Sequence, residues 1–392
     1  MKKTISLILV IAVMLSLSAC GGAKGTTGIG DNTGEPAIKH TGKKIDGEIL
    51  SASLFSEGLA FVELSQEEGK SYCIDKKGHI VFELDIDLSI DGDINSTFIN
   101  GLAYVNEGLC NTTGKVTKPA DVGATTFYYA STLSAGYILA EVVTADYSNT
   151  SKKLGVLNTN FEWTVEPSAD LYNEFADEYG YSEIDNALNT TDYTVGDLYF
   201  NVSLEKALNL KTGEVIKDKS KIGTPSSSLW ILGSGGSQYT GYYLPSESSY
   251  LSEENLILDL TKNGEVCSAT SFVNGRAAIV YRNTSANKYY VTMIDEEGKH
   301  LFEPVETKYS SVETDGKYIL VSDTALGSGD YAEVFNNKGE KTGEIDVSAD
   351  TSKSYHLHLG DGVILVRAGI INMMSGYNGK AYYLDISCKD LF

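Results

Sequence analysis

The sequence predicts an all-β fold, a β-propeller-like array of about seven to eight four-stranded repeat units. Three observations carry this reading. A Gly-x-Ala run opens apolar stretches that alternate with period two. An Asp or Asn followed three places later by Gly closes a strand further on. Copies of the pair recur about every 43 residues between residues 45 and 392. An open β-solenoid, or a sandwich of stacked hairpins, satisfies the same pattern and stands as the alternative.

Before the repeats come two segments of different character. Residues 1–19 read as a secretory signal: Lys2 and Lys3 give a positive start, and Ile5 to Leu17 is almost unbroken apolar chain. Such a run is too short to remain as a membrane-spanning helix. Leu17-Ser18-Ala19-Cys20 closes it and resembles the lipobox of bacterial lipoproteins, so Cys20 is the expected lipidation site. The partner this implies is the membrane, reached through the anchor from the extracytoplasmic face. Acyl attachment is worth about 0.8 kcal/mol per buried methylene, and more than one chain makes it durable.

Residues 20–44 then form the lipidated cysteine and a tether. Gly21, Gly22, Gly25, Gly28, Gly30, Gly34 and Gly42 sit among Thr, Asn and Asp with few apolar residues, which leaves little surface to bury against the entropy of ordering. Gly28-Ile29-Gly30 lacks the third glycine at dinucleotide-loop spacing and no strand precedes it, so no phosphate site is read there. A flexible coil of this length spans roughly 27 Å. Removal of Lys2 and Lys3 with the signal takes the formal charge from −22 to −24. At a Debye length of about 8 Å, a body held off by such a tether hardly feels anionic headgroups. The same acidity leaves no basic stripe for phosphates, which excludes nucleic acid as a partner.

The repeats begin near Ile45. Gly58-Leu59-Ala60-Phe61-Val62, Gly101-Leu102-Ala103-Tyr104-Val105 and Gly275-Arg276-Ala277-Ala278-Ile279 each follow an aromatic three places earlier, at Phe55, Phe98 and Phe272. Ala60, Ala103 and Ala277 are expected to be buried. The closing turns are clear at Asp75 to Gly78, Asn111 to Gly114, Asp295 to Gly298 and Asn336 to Gly339. Weaker versions lie at Asn158, at Leu208 to Gly213, at Leu258 to Gly264 and at Asp385. In such turns the Asx side chain bonds its own backbone and glycine supplies positive φ. One hairpin is marginal in water, so each unit must bury its face against the next. The segment Ala169 to Leu188, acidic and rich in Tyr, interrupts the series after the third unit and is the best place for a helix or covering loop.

This arrangement resembles the WG-repeat family of bacterial surface and secreted proteins, whose unit runs as an aromatic, Gly-x-Ala-x-Val, and then Trp-Gly-Tyr-Ile-Asp-x-x-Gly. The first and last parts match at the residues just given. Lys153-Leu154-Gly155-Val156-Leu157-Asn158 keeps the frame with leucine for tryptophan, and Ser71-Tyr72-Cys73-Ile74-Asp75 carries Tyr-Cys in place of the naming dipeptide. The resemblance implies architecture and an envelope location; it carries no general activity.

The chemical inventory offers no cofactor site, no metal site and no catalytic constellation. His356-Leu357-His358 sets two imidazoles on one strand face without a nearby third ligand. Asp85, Asp87, Asp91, Asp93 and Asn95 alternate oxygen donors, but the glycine and glutamate of a calcium loop are missing, so a solvated acidic turn is the reading. Gly233-Ser234-Gly235-Gly236-Ser237 lacks the strand-to-helix context of a nucleophile elbow. Cys73, Cys110, Cys267 and Cys388 permit disulfides in an exported chain, Cys73 with Cys110 for example, and equally permit free thiols. The 25 tyrosines suit strand packing and also contact with sugars or proteins. The expected function is therefore a membrane-anchored, non-enzymatic binding or scaffold propeller for a protein or glycan, using a propeller face or loops such as Tyr239 to Tyr250. A propeller hydrolase acting on extracellular polysaccharide is the alternative, with two facing carboxylates as its signature; a passive envelope protein is the third.

Overall fold

The chain divides into two units, Met1–Ile38 and Lys39–Phe392. The computed structural model describes residues 43–392 apart from 67–68, 90–93, 107, 129–131, 147–148, 176–192, 196, 202–205, 217–228, 233–237, 244–255, 260–264, 271, 324–330, 348–353 and 373–375. Cys20 and nearly all of the tether therefore lie outside the described residues.

The second unit is a β-propeller of eight antiparallel sheets among the described residues, each of three or four strands that follow one another in sequence order. The first sheet shows the pattern: β1 (Ile49–Ala52), β2 (Leu59–Leu64), β3 (Ser71–Asp75) and β4 (Ile80–Leu84), each paired with the next. The second to eighth sheets run over residues 102–117, 126–168, 193–216, 229–259, 265–307, 311–346 and 354–385.

Alternation of side chains explains why the sheets stack. Along β2, Leu59 and Phe61 pack with Ala103, Val105 and Cys110 of the second sheet. Ala60 and Val62, pointing the other way, pack with Val363, Leu365 and Tyr383 of the eighth. Both faces are thus buried, which is why β2 reads as an unbroken apolar run. The same division recurs at Leu102 against Ala103, Ile138 against Leu139, Ala278 against Ile279, Ile319 against Leu320 and Ile364 against Leu365, each residue facing a different neighbouring sheet. Ala60, Ala103 and Ala277 are 1%, 0% and 0% exposed, as their repeat position requires.

The pairing of first sheet with last closes the series. Neither borrows a strand from the other, so side chains make the seam. Tyr383 Oη donates to the Ser53 carbonyl at 2.7 Å, the Arg367 guanidinium donates to the Ala52 carbonyl at 3.0 Å, and the Phe55 and Tyr383 rings meet edge to face with centroids 4.8 Å apart.

Two kinds of turn set the register. Just before the strands that begin at Leu59, Leu102, Arg276 and Val363 lie two-residue turns with both φ positive: Glu57-Gly58, Asn100-Gly101, Asn274-Gly275 and Asp361-Gly362. That is the type I′ hairpin geometry, and it accounts for the glycine that opens each motif. Where the following strand ends, the Asx Oδ1 accepts two amide N–H groups just after it at Asp75, Asn111, Asn158, Asn209, Asp295, Asn336 and Asp385. Weak sequence versions at Asn158, Asn209 and Asp385 are therefore full structural members. The turn at Leu258 to Gly264 falls largely outside the described residues.

The insertion begins as a short helix, α1 (Ala169–Phe175), with Leu171, Tyr172 and Phe175 buried against Val156, Tyr199 and Leu208. It covers the junction of third and fourth sheets, the packing role expected of it; residues 176–192 lie outside the described set. No described helix is long and apolar enough to cross a membrane.

Candidate functional site

One mouth of the propeller is rimmed by its first turns, and they are linked. Asp315 Oδ2 accepts the Gly362 N–H at 2.5 Å, Asp361 Oδ2 accepts Gly58 N–H at 2.7 Å, and Glu57 Oε2 accepts Gly101 N–H at 2.9 Å. Asn100 Nδ2 continues the series by donating to the Leu133 carbonyl at 2.8 Å, and Asn274 Nδ2 precedes it by donating to the Asp315 carbonyl at 3.0 Å. Each carboxylate is spent on a backbone donor of the neighbouring sheet, and Asp361 also faces Lys76 Nζ at 2.8 Å. The rim is a fastening, and its acids are committed to it.

A second polar cluster lies on the seventh sheet. Buried Glu333 accepts from Thr307 Oγ1 at 2.7 Å, Lys308 N at 3.1 Å and Lys341 Nζ at 2.8 Å. Burial alone works against its ionisation, but these donors outweigh it and hold the carboxyl below its ordinary value. Lys308 and Lys341 bond exposed Glu344 and bring its carboxyl down to about 2. Every charge here has an opposite neighbour, which makes the cluster a structural ion-pair network.

A cleft of about 570 Å³ lies on the sixth sheet, within the size range of small-ligand pockets. Antiparallel pairing sets Tyr281 directly opposite Tyr290. Tyr290 is half-buried and Tyr281 buried, so the floor is the Tyr290 ring with Tyr281 set into the core beside it. His300, Arg282, Asn283 and Glu303 stand around it. The role of His300 Nδ1 follows from its neighbour. Thr292 Oγ1 donates its one proton to the Phe302 carbonyl at 3.0 Å, so at 3.0 Å from His300 Nδ1 it must accept. Nδ1 therefore carries a hydrogen, and in the corresponding tautomer Nε2 is the acceptor. Asn283 Oδ1 is occupied by the Ala286 N–H at 3.0 Å, which leaves its amide NH2 as donor. Arg282 lies 3.7 Å from Glu265 and donates to Asn287 Oδ1 at 3.1 Å.

The sites singled out from sequence fare differently. His358 Nδ1 lies 3.1 Å from Glu313, whose other oxygen accepts the Leu359 N–H. His356 and His358 are both half-buried, and His358 reaches the seventh sheet through Glu313. No group of three or more His, Cys, Asp or Glu with metal-binding geometry occurs among the described residues. Asp87 accepts from the Ser89 amide and hydroxyl at 2.9 and 2.8 Å, an Asx turn; Asp91 and Asp93 lie outside the described residues. The same is true of Gly233 to Ser237 and, beyond the strand Gln238–Tyr243, of the loop to Tyr250. Cys73, Cys110, Cys267 and Cys388 are free thiols. The cleft itself was not legible in the sequence, because its residues come from two strands and the segments that follow them, whose convergence only pairing reveals.

No family model matches the chain, and no curated protein does. Solved structures similar to it include KlHsv2 with loop 6CD replaced by a Gly-Ser linker, 8% identical over 88% of this chain and all of that one, with a TM-score of 0.33. The β-propeller domain of the Trilobed protease from Pyrococcus furiosus is 8% identical over 88% of this chain and 84% of its own, at 0.28. The polysaccharide lyase Uly1 is 12% identical over 66% and 56%, at 0.23. Such scores say nothing of ligand or reaction, and the architecture stands on the strand pairing and core clusters described above.

Proposed function

We propose that this chain is a lipid-anchored extracytoplasmic propeller that binds a polar ligand, a glycan or a protein, without transforming it. The observation that carries the binding part is the cleft of the sixth sheet, where an aromatic floor is ringed by donors and acceptors of mixed kind. Such a surface suits recognition. Glycoside hydrolysis asks for two carboxylates about 5 to 10 Å apart, and Glu303 is the one carboxylate among the described lining residues. The anchoring part rests on Leu17-Ser18-Ala19-Cys20 after an apolar leader, and the resemblance to WG-repeat surface proteins points the same way.

Membrane fractionation tests the anchor. Wild-type protein is expected with the membranes and Cys20→Ala in the soluble fraction or medium; a Cys20→Ala protein still held by membranes overturns it. Incubation of purified protein with polysaccharides tests the binding part, since new reducing ends formed in proportion to protein contradict it.

A further inference from the structure

Resting on the binding reading, we infer that the cleft of the sixth sheet takes an uncharged saccharide. The floor comes first. Half-buried Tyr290, backed across the strand pair by buried Tyr281, offers a phenol ring to a ligand with a flat C–H face, and a pyranose has one on each side. The rim follows. His300 offers an acceptor at Nε2, Asn283 donors at its amide, and Glu303 acceptors at its exposed carboxylate. A hydroxyl both donates and accepts, so a ring bearing several hydroxyls satisfies such a mixed set at once, whereas a peptide backbone needs donors and acceptors in strict alternation.

Charge then separates neutral sugars from acidic ones. The Arg282 guanidinium already faces Glu265 at 3.7 Å and is held by Asn287. Glu303 stands on the same rim, so a carboxylate entering the cleft meets one carboxylate and, among the described lining residues, no cation without an acidic neighbour. The whole chain carries −22, and the field of such a body opposes the approach of a polyanion.

Calorimetric titration of the full-length protein in detergent micelles tests this. The probes are tetramers of β-linked glucose, of N-acetylglucosamine and of galacturonate. We expect saturable binding of at least one neutral tetramer, with galacturonate ten times weaker or more at 0.15 M salt. Tyr290→Ala should weaken the neutral tetramer at least tenfold, as should His300→Ala. His300→Gln, which restores an acceptor, should recover part of the loss. Far-UV spectra and melting temperatures matching the parent show that the variants fold. Equal or tighter binding of galacturonate overturns the inference, and so does neutral binding that ignores both Tyr290→Ala and His300→Ala. Binding of none of the three tetramers overturns it too. In each of these cases the binding reading survives, because a protein ligand remains open to it; release of reducing ends from a bound tetramer defeats that reading itself.

Discussion

The carboxylate of Asp361 accepts the amide of Gly58 at 2.7 Å, joining residues 303 positions apart in sequence. It is the same fastening that Glu57 makes to Gly101 and Asp315 to Gly362. Closure of the propeller therefore repeats a contact used between ordinary neighbours, and needs no exchanged strand.

Substitution at Asp361 measures that contact. Asp361 has φ of 50°, a conformation Asn tolerates and Ala resists. Asp361→Asn keeps an acceptor for Gly58 and should cost less than about 1 kcal/mol. Asp361→Ala loses the charge-assisted bond and the Lys76 pair and adds backbone strain, so about 2–3 kcal/mol is expected. Denaturant melts of the two variants check the order.

A second recurring contact makes a sharper prediction. Seven places after the Asx of its closing turn, one sheet sets a bulky side chain over the turn glycine of the next: Phe82 over Gly114, Val165 over Gly213, Phe302 over Gly339, and at the seam Phe392 over Gly78. A Cβ at Gly78 would lie 2.8 Å from the Phe392 ring. Where the turn slot holds a larger residue the partner is not aromatic: Cys388 at φ 62° sits against Gly343, and Phe161 at φ 64° follows Lys118. Gly343→Phe alone should destabilise through collision with Cys388 Sγ, by about 1–3 kcal/mol. Cys388→Gly together with Gly343→Phe should recover most of that loss, because it rebuilds the arrangement of the other sheets. A double-mutant cycle reads the coupling; additive effects would refute the swap.

Legibility in the sequence follows from which of these features is local. The Asx turns and the Gly-x-Ala strands are written in consecutive residues, so the unit, its spacing and the burial of Ala60, Ala103 and Ala277 could all be read. Even the degenerate copies at Asn158 and Asp385 fall in frame, where Phe161 and Cys388 take the glycine's place at a cost in backbone strain. The cleft could not be read that way. Tyr281, Tyr290 and His300 are ordinary members of a strand-rich chain until pairing puts Tyr281 opposite Tyr290 and Thr292 fixes His300. The rim fastening also escaped notice, because Asp361 and Gly58 belong to opposite ends of the chain.

Burial at the repeat alanines predicts the cost of charge there. Ala60→Asp, Ala103→Asp or Ala277→Asp places a carboxyl between two sheets with no partner, and each should lower stability by about 2–4 kcal/mol. Chemical denaturation compares each with an Ala→Ser control at the same position; a variant melting with the parent would contradict the alternation of faces.

Acid should loosen the seventh sheet in a defined window. Glu333 and Glu344 have folded-state carboxyls below the ordinary 4.5, Glu344 at about 2. A depressed carboxyl stabilises the fold above the unfolded value and loses that contribution as pH falls toward the folded one. The loss therefore runs between about pH 4.5 and 2. Glu344 is fully exposed and its share is screened by salt, so Glu333, held by Thr307, Lys308 and Lys341, should dominate. Glu333→Gln should be less stable than the parent at pH 7 and should show a shallower decline across the window. Parallel slopes would remove Glu333 from the account.

The thiols provide a last test, and it bears on the proposed exported location as much as on the core. Cys73 and Cys110 are buried in one cluster with Phe61 and Ala103, unbonded to each other. Burial pushes the Cys110 thiol up to about 12, and Cys73 is raised by burial, by Cys110 beside it and by Asp75. A thiol alkylates as its thiolate, so both should resist iodoacetamide at pH 8 in the native state and react fully in denaturant. Cys267 and Cys388, partly exposed, should react first, Cys388 slowly because burial raises it to about 11. Mass spectrometry of native and unfolded samples reads the order. Since sheet packing shields the inner pair, reducing agent should leave the melting temperature unchanged. A fall on reduction would mean that Cys73 and Cys110 join under oxidising conditions, and that this junction is held covalently as well as by its apolar faces.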